Sequence, residues 1–344
     1  MVEASAPCRI DMWGTLDIPG FYLMLRHLKP VTLNMALNRR TRVRLTPCHP
    51  GRIRIIAEGI ETAEFSRDEF PYHHPLGLMA AVARYFNIDG VRIEIESESP
   101  PRSGLGGSSV AAVALTQALA VYGAPDHAAG TFTQEQIAEI ARSIEAAVAG
   151  VPCGGQDHLA AAFGGVHLYH WGTDTHNPGA YRVTRILNDE QMAMLSKRLL
   201  LVYTGAQHVS GEINAKWGTD FMSGEHREVW GEIITLTHRF AEALTGGALR
   251  EAGMLMNREV ALRRKMTPQV LSPIGDELAH AAERFGCGAR FTGAGAGGCL
   301  WALGEEADID LLAPVWRQIV SGQENGKILP VQLEDEGVSF NRIL

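Results

Sequence analysis

The stretch Pro100-Pro101-Arg102-Ser103-Gly104-Leu105-Gly106-Gly107-Ser108-Ser109-Val110 runs directly into the apolar segment AAVALTQALAVY, and the reading of the rest of the chain turns on it. Upstream, Val91 to Ser97 (VRIEIES) alternates apolar and polar residues, the period of a half-buried strand. The order is therefore strand, glycine turn, helix. Gly104, Gly106 and Gly107 let the backbone come close to a ligand, Ser108 and Ser109 suit a helix N-terminus, and the Ala-rich run is a strong helix former. Such a helix start binds anions, because its unpaired N–H groups and the positive end of its dipole favour a phosphate by about 0.3 to 2 kcal/mol. A buried helix after a tight turn, with no ligand, is the competing reading of the same residues, and the remainder of the chain decides between them.

The 344 residues are 46% hydrophobic, enough to bury a full core and long enough for two domains. A formal net charge of −8 argues against a nucleic-acid-binding surface, which carries a basic excess, and leaves a small molecule as the expected ligand. The N-terminal MVEASAPCRID lacks a charged region followed by an apolar stretch, and the longest apolar run, Val110 to Tyr122, is too short to span a bilayer. The expectation is a soluble cytoplasmic protein. Cys8, Cys48, Cys153, Cys287 and Cys299 are odd in number and contain no Cys-x-x-Cys pair, so neither a disulfide framework nor a zinc site is expected.

Ala6 to Asp17 (APCRIDMWGTLD) reads as a strand leading into a glycine turn. Val31 to Thr46 reads as a second strand region whose Arg40, Arg42 and Arg44 share one face, expected to be solvated. A short strand at Arg52 to Ala57 and a helix in HPLGLMAAVARYFNI lead to the Val91 strand. A helix from Thr133 to Val148 ends at Gly150 and carries Glu145 in its last turn, where a carboxylate opposes the helix dipole and hints at a nearby cation. In VPCGGQDHLAAAFGG, Asp157 opens a short helix and has two readings, a helix N-cap or a general base held at a rigid helix start. Val166 to Trp171 returns to strand, and GTDTHNPG is turn-rich. The second half holds a buried strand at Arg198 to Gly205 and amphipathic helices at His226 to Leu244, Leu249 to Arg264 and Ile274 to Phe285. It closes with the strand–loop–strand GARFTGAGAGGCLWALG, a helix at Asp308 to Val320 and a strand at Lys327 to Leu333. These elements predict α+β layers in both halves. Gly293-x-Gly295-x-x-Gly298 matches a dinucleotide fingerprint formally, but the strand-like CLWAL follows it where that fingerprint needs a helix.

PPRSGLGGSSVAAVAL resembles the second motif of the GHMP kinases (galactokinase, homoserine kinase, mevalonate kinase, phosphomevalonate kinase), APCRID their first and FTGAGAGGC their third, in family order over nearly the whole chain. The resemblance implies a two-domain α+β fold. Residues 1–190 would form a ribosomal-protein-like α/β domain with a left-handed crossover that binds ATP and Mg²⁺, and residues 191–344 a ferredoxin-like α+β domain that completes the sites. It makes Pro101, Ser103, Gly104, Leu105, Gly106, Gly107, Ser108 and Ser109 the phosphate loop, closed over by Gly293, Ala294, Gly295 and Gly297. Ser108, with Ser109 as its nearest competitor, and Glu145 would hold Mg²⁺; Asp157 would take the proton of the substrate hydroxyl, with Arg9 paired to it. Asp17, Gly155, Gln156, Thr204 and Gly205 would join Asp157 at the substrate.

EAAVAGVPCGGQDH is similar to the galactokinase pattern, and within that neighbourhood the heptose-7-phosphate kinases and fucokinases are nearest in layout. The implied activity is phosphorylation of a sugar's anomeric hydroxyl, on a heptose 7-phosphate or a galactose- or fucose-like hexose. A kinase of a mevalonate- or homoserine-like alcohol and a catalytically silent sugar sensor are the alternatives. Arg26, Lys29, Arg40 and His208 are the cations that would meet a distal phosphate. The expected partner is a small sugar or sugar phosphate, with no nucleic acid and no membrane, bound by a monomer or homodimer. Cys8 stands where these kinases usually have Gly, and WGTLD replaces their G-G-G-T-D with one residue fewer between Arg9 and Asp17, which leaves the sugar open.

Overall fold

Apolar–polar alternation carries the first half of the chain into one sheet. A computed structural model describes residues 1–66, 72–123, 132–150, 153–174, 176–177, 179–206 and 210–343, apart from the side chains of 210–212. The elements of the first half are β1 (Val2–Met12), α1 (Pro19–Tyr22), β2 (Val31–Pro47), β3 (Arg52–Ala57), β4 (Glu61–Ser66), α2 (Gly77–Tyr85), β5 (Val91–Ser97), α3 (Gly107–Tyr122), α4 (Gln134–Ala149), α5 (Gln156–Phe163), β6 (Val166–Trp171) and β7 (Tyr181–Arg185). They are followed by α6 (Asp189–Ser196), β8 (Leu199–Tyr203), α7 (Ser210–Met222), α8 (Arg227–Thr245), α9 (Leu249–Met266) and α10 (Pro273–Arg284). The chain then forms β9 (Gly288–Phe291), β10 (Cys299–Leu303), α11 (Glu306–Ser321), β11 (Lys327–Leu329) and β12 (Ser339–Arg342).

The larger sheet runs β12-β1-β2-β5-β3-β4, with β6 paired to the N-terminal part of β2 and β7 beyond it; the smaller runs β11-β8-β10-β9. All pairings are antiparallel except β3 with β5, which are joined through β4 and α2. The architecture is α+β with two sheets, as the sequence predicts. Because β12 pairs with β1, the end of the chain returns to the sheet on which it began.

Helix α3 is the centre of the first half. It is mostly apolar, and every residue from Ser109 to Val121 is buried, Thr116 and Gln117 included, as expected of a helix with neighbours on every side. Those neighbours are β1, β2 and β5 on one side and α2, α4 and α5 on the other. The glycine loop before it thus runs straight into a helix packed on both sides. Helix α4 starts with a capping box, Thr133 Oγ1 accepting from Gln136 N and Gln136 Oε1 from Thr133 N, and ends at Gly150 in the left-handed region. This fixes the angle at which Glu145 is presented.

The first strand ends at Met12 and leads into the expected turn, residues 13–17, in which Trp13 and Thr15 both take positive φ, 66° and 84°. Other expectations need correction. The last strand of the smaller sheet ends at Leu329 rather than at residue 333. Arg40, expected on a solvated face, is buried: its guanidinium donates to Ser5 Oγ (3.0 Å), Glu336 O (3.0 Å) and Gly337 O (2.7 Å). Alternation placed it on the right face, but the returning C-terminal segment covers that face. Arg42 and Arg44 stay more open and pair with Glu98 and Glu3. All five cysteines are free, and among the described residues no helix is long and apolar enough to cross a membrane.

Candidate active site

Gly104 sits where the two sheets meet. Its φ is 78°, and a β-carbon there would come 2.7 Å from Thr292 Oγ1, so only glycine fits. Around it the loop is stapled to the smaller sheet: Cys299 N donates to Ser103 O (2.7 Å), and Thr292 Oγ1 reaches the same oxygen (3.2 Å). From the other side Arg9 Nη1 donates to Gly104 O (2.6 Å), and Arg9 N to Leu105 O (3.3 Å). Ser103 Oγ pairs with Ser99 Oγ (2.7 Å), so Ser103 serves the loop's shape. Beyond it Gly106 is the N-cap of α3 without a side-chain cap, Gly107 has nothing within 4 Å of the place a β-carbon would take, and Gly107 and Ser108 are exposed. An uncapped, uncovered helix start is the geometry an anion requires.

Ser108 Oγ donates to Glu145 Oε1 (2.9 Å) and Ser109 Oγ to Glu145 Oε2 (2.7 Å), so both hydroxyls converge on one carboxylate. Ser108 is the exposed member of the pair and Ser109 is buried. Behind them lies His158, a residue the sequence reading passed over. It is buried, with Nε2 2.7 Å from Glu145 Oε2 but out of line for a hydrogen bond. Burial presses the Glu145 carboxyl upward, while His158, Ser109 and Ser108 pull it down, and the balance lies below the ordinary carboxylate value. A carboxylate kept ionised beside an exposed hydroxyl is a hard-oxygen donor set. It fits Mg²⁺, which takes one or two protein oxygens and completes its shell with water and phosphate.

Asp157 is the second residue of α5, whose N-cap is Gly155, so the N-cap reading does not hold. Its Oδ1 accepts from Arg9 Nε (2.8 Å) and lies 2.7 Å from Arg9 Nη2 in an ion pair, and its side chain, 27% exposed, lies beside Gly106. Arg9 is buried; burial opposes its charge, yet Asp157 and Asp11 hold its pKa above the ordinary value. Asp17 is also buried and accepts from Gln156 N (3.1 Å), and a β-carbon at Gly154 would overlap its carboxylate. Burial and the field of Asp157 push the Asp17 carboxyl up to about 6. Gln156 Oε1 accepts from Asn34 Nδ2 (3.2 Å), and Gly155 faces Trp171 and Arg142.

The third glycine motif lies between β9 and β10, a strand following it as expected. Gly293 N donates to Asp11 Oδ1 (2.7 Å), Ala294 is buried, and Ala296 N is tied to Val270 O (2.7 Å). Gly295 and Gly297 take positive φ, as does Gly205. Thr204 is fully buried, with its hydroxyl donating to Gly298 O (2.8 Å), and so holds this loop in shape. Arg26 and Lys29 are exposed, and His208 lies outside the described residues.

Sequence reading also passed over Asp11, Glu259, Arg263 and Arg290, all buried. Asp11 had a signal, since it lies two residues from Arg9 on the same face of a strand. Glu259 and Arg263 had none, because an i, i+4 pair on an amphipathic helix looks like an ordinary surface pair.

A family model for the GHMP kinases N terminal domain matches residues 73–165, which include the glycine loop at 104–109, Glu145 and Asp157. A mevalonate kinase from Thermococcus onnurineus is 27% identical, the alignment covering 100% of this chain and 99% of that one. The crystal structure of a D-glycero-D-manno-heptose 1-phosphate kinase from Bacteriodes thetaiotaomicron superposes with a TM-score of 0.75 at 18% identity, covering 100% of both chains. A Lactococcus lactis galactokinase complexed with galactose superposes with a TM-score of 0.70 at 18% identity, covering 98% of this chain and 95% of that one.

Proposed function

This chain belongs to the GHMP kinase superfamily, and from that premise we propose that it transfers the γ-phosphoryl group of ATP to the anomeric hydroxyl of a sugar, a heptose 7-phosphate or a galactose- or fucose-like hexose. Phosphoryl transfer needs in-line positioning and charge neutralisation more than covalent help. On this reading the loop from Gly104 to Ser109 receives the phosphates at the start of α3, and Gly293 to Gly297 close the other side. Ser108 and Glu145 would hold Mg²⁺, with Ser109 fixing the second carboxylate oxygen; the ion, when bound, neutralises charge on the phosphates.

Asp157 accepts the acceptor's proton. Its pairing with Arg9 orients the carboxylate toward the acceptor, and an anomeric hydroxyl, more acidic than an ordinary alcohol, gives up its proton readily to a carboxylate. Arg9 stays beside the reacting centre as a fixed cation.

The observation that carries the choice of a sugar's hydroxyl-rich ring over a carboxylate-bearing acceptor is Asp17, a buried carboxylate next to Asp157 with its pKa already raised. Two acidic groups together repel a substrate carboxylate and accept hydrogen bonds from sugar hydroxyls. With Arg40 committed to the C-terminal segment, the distal phosphate of a heptose 7-phosphate is left to Arg26 and Lys29. A second reading, an acceptor of the mevalonate type, draws on the full-length similarity to a mevalonate kinase. Coupled ADP release with a heptose 7-phosphate, galactose, fucose, mannose, mevalonate and homoserine separates the two. A sugar is expected to give the highest kcat/KM, and mevalonate winning by about tenfold, roughly 1.4 kcal/mol, would overturn the sugar assignment. No ADP release with any acceptor would favour a silent sensor.

A further inference from the structure

Three arginines and three carboxylates are threaded through the core in an unbroken series. Arg9 contacts Asp157 and Asp11; Asp11 accepts from Arg290 Nη1 (3.3 Å); Arg290 Nε meets Glu259 Oε2 (3.0 Å); and Glu259 Oε1 accepts from Arg263 Nε (2.7 Å). Asp11, Glu259 and Arg263 show no exposure, and Arg290 only 1%. Buried charge on this scale persists only where each member is paired, and here cations and anions balance.

The far end of the series is unusual. Arg263 lies against two indoles that meet edge to face, its guanidinium carbon 4.5 Å from the Trp217 ring and 4.5 Å from the Trp230 ring. Its remaining donors leave helix α9 and cross to the other half of the chain, Nη2 to Gly14 O (2.9 Å) and Nη1 to Thr15 Oγ1 (3.5 Å). These are residues of the turn that replaces the first motif's usual glycines. Trp13 and Thr15, neither of them glycine, take positive φ on either side of Gly14, a conformation that costs about 1–3 kcal/mol per residue unless its surroundings hold it. The turn delivers Asp17 two residues later, and Ile18 N closes it by donating to Thr15 O (3.0 Å).

We infer that Arg263 is a positioning residue for the acceptor site: from the second half of the chain it holds the strained turn Trp13–Gly14–Thr15 and so sets where Asp17 stands. The inference rests on the proposed kinase reading for its kinetic consequence but not for its structural one. A planar guanidinium packed against both rings can bond Glu259 and the turn at once. A lysine ammonium, a compact point charge, cannot reach both.

Arg263→Lys is the test, with Thr15→Gly as its partner, because glycine adopts positive φ freely and removes part of the strain the arginine restrains. With whichever acceptor gives the highest kcat/KM in the panel above, Arg263→Lys is expected to raise the acceptor KM about tenfold or more and leave the KM for ATP within about twofold. Adding Thr15→Gly is expected to recover part of that loss. Equal rises in both KM values, or a double variant worse than Arg263→Lys alone, would overturn the inference. Hydrogen–deuterium exchange without any ligand gives the second readout. Arg263→Lys should speed exchange in residues 13–18 while helix α3 keeps its protection, and Thr15→Gly should not add to it. Unchanged exchange in 13–18, or an acceleration spread evenly over α9 and the smaller sheet, would overturn the positioning role. Should the wild-type protein phosphorylate nothing in the panel, the kinase reading falls and the exchange experiment decides the inference alone.

Discussion

Replacing Asp17 with Asn should make the protein more stable and less active, and the size of the first effect follows from the carboxyl's surroundings. Asp17 is buried, and burial together with the Asp157 charge lifts its pKa from an ordinary 3.8 to about 6. Between those values the native state holds a proton that the unfolded chain has released, so stability falls as pH rises through this window and levels off above about 6. Above it the ionised group costs the folded state about 3 kcal/mol, each pKa unit being roughly 1.4 kcal/mol. An asparagine has the same shape and still offers an oxygen to Gln156 N, so Asp17→Asn removes the cost without removing that hydrogen bond. Guanidinium unfolding of both proteins at about pH 8 should show a gain of about 2–3 kcal/mol for the variant, shrinking toward zero near about pH 4. Loss of the charged acceptor should at the same time raise the acceptor KM by about tenfold or more. A variant less stable than wild type at high pH, or one with an equal gain at both pH values, would refute the claim that Asp17 is held ionised against its environment.

Other expectations follow from the same geometry. Ser108→Ala and Glu145→Gln should each raise the Mg²⁺ concentration needed for half-maximal turnover while the unfolding curve moves little; an unchanged Mg²⁺ dependence in both would put the metal elsewhere. Asp157→Ala should lower kcat by about a hundredfold or more with nucleotide binding retained, and a drop of only a few-fold would remove it from the chemistry. Arg40→Gln should cost about 2–4 kcal/mol of stability by freeing the C-terminal segment, with the acceptor KM within about twofold, whereas a selective rise in KM for a phosphorylated sugar would return Arg40 to the substrate.

How much could be read from the sequence depended on how local each signal was. The glycine loop at residues 104–109 was legible because strand, glycines and apolar helix follow one another without a break, and the largely apolar α3 reads as a buried helix. Glu145 and Asp157 were legible as residues but not as geometry. A carboxylate at the wrong end of a helix implied a cation, yet His158 behind it gave no sign, being one more residue on a short Ala-rich helix. Strands β4, β7 and β12 escaped notice because ETAEFS, YRVTR and SFNR alternate weakly, and their pairing depends on strands distant in sequence. Arg40 shows the general reason. Its face follows from alternation, but what covers that face arrives almost 300 residues later, |i−j| being 296 for the bond to Glu336. The charge series from Arg9 to Arg263 was illegible for the same cause, since its members are separated in sequence and only the packing of β1, α5, α9 and β9 brings them together.

Transfer of a phosphoryl group from ATP onto an anomeric oxygen, with Asp157 as the proton acceptor, is the reaction proposed for this chain. Phosphorus NMR of the product formed from ATP, Mg²⁺ and the best acceptor of the panel, with the Asp157→Ala protein as control, reads it out. A sugar 1-phosphate is expected, identified by phosphorus coupling to the anomeric proton, formed by the wild-type protein and almost absent with the variant. A phosphate ester on any other carbon, or the same product formed equally well without Asp157, would contradict it.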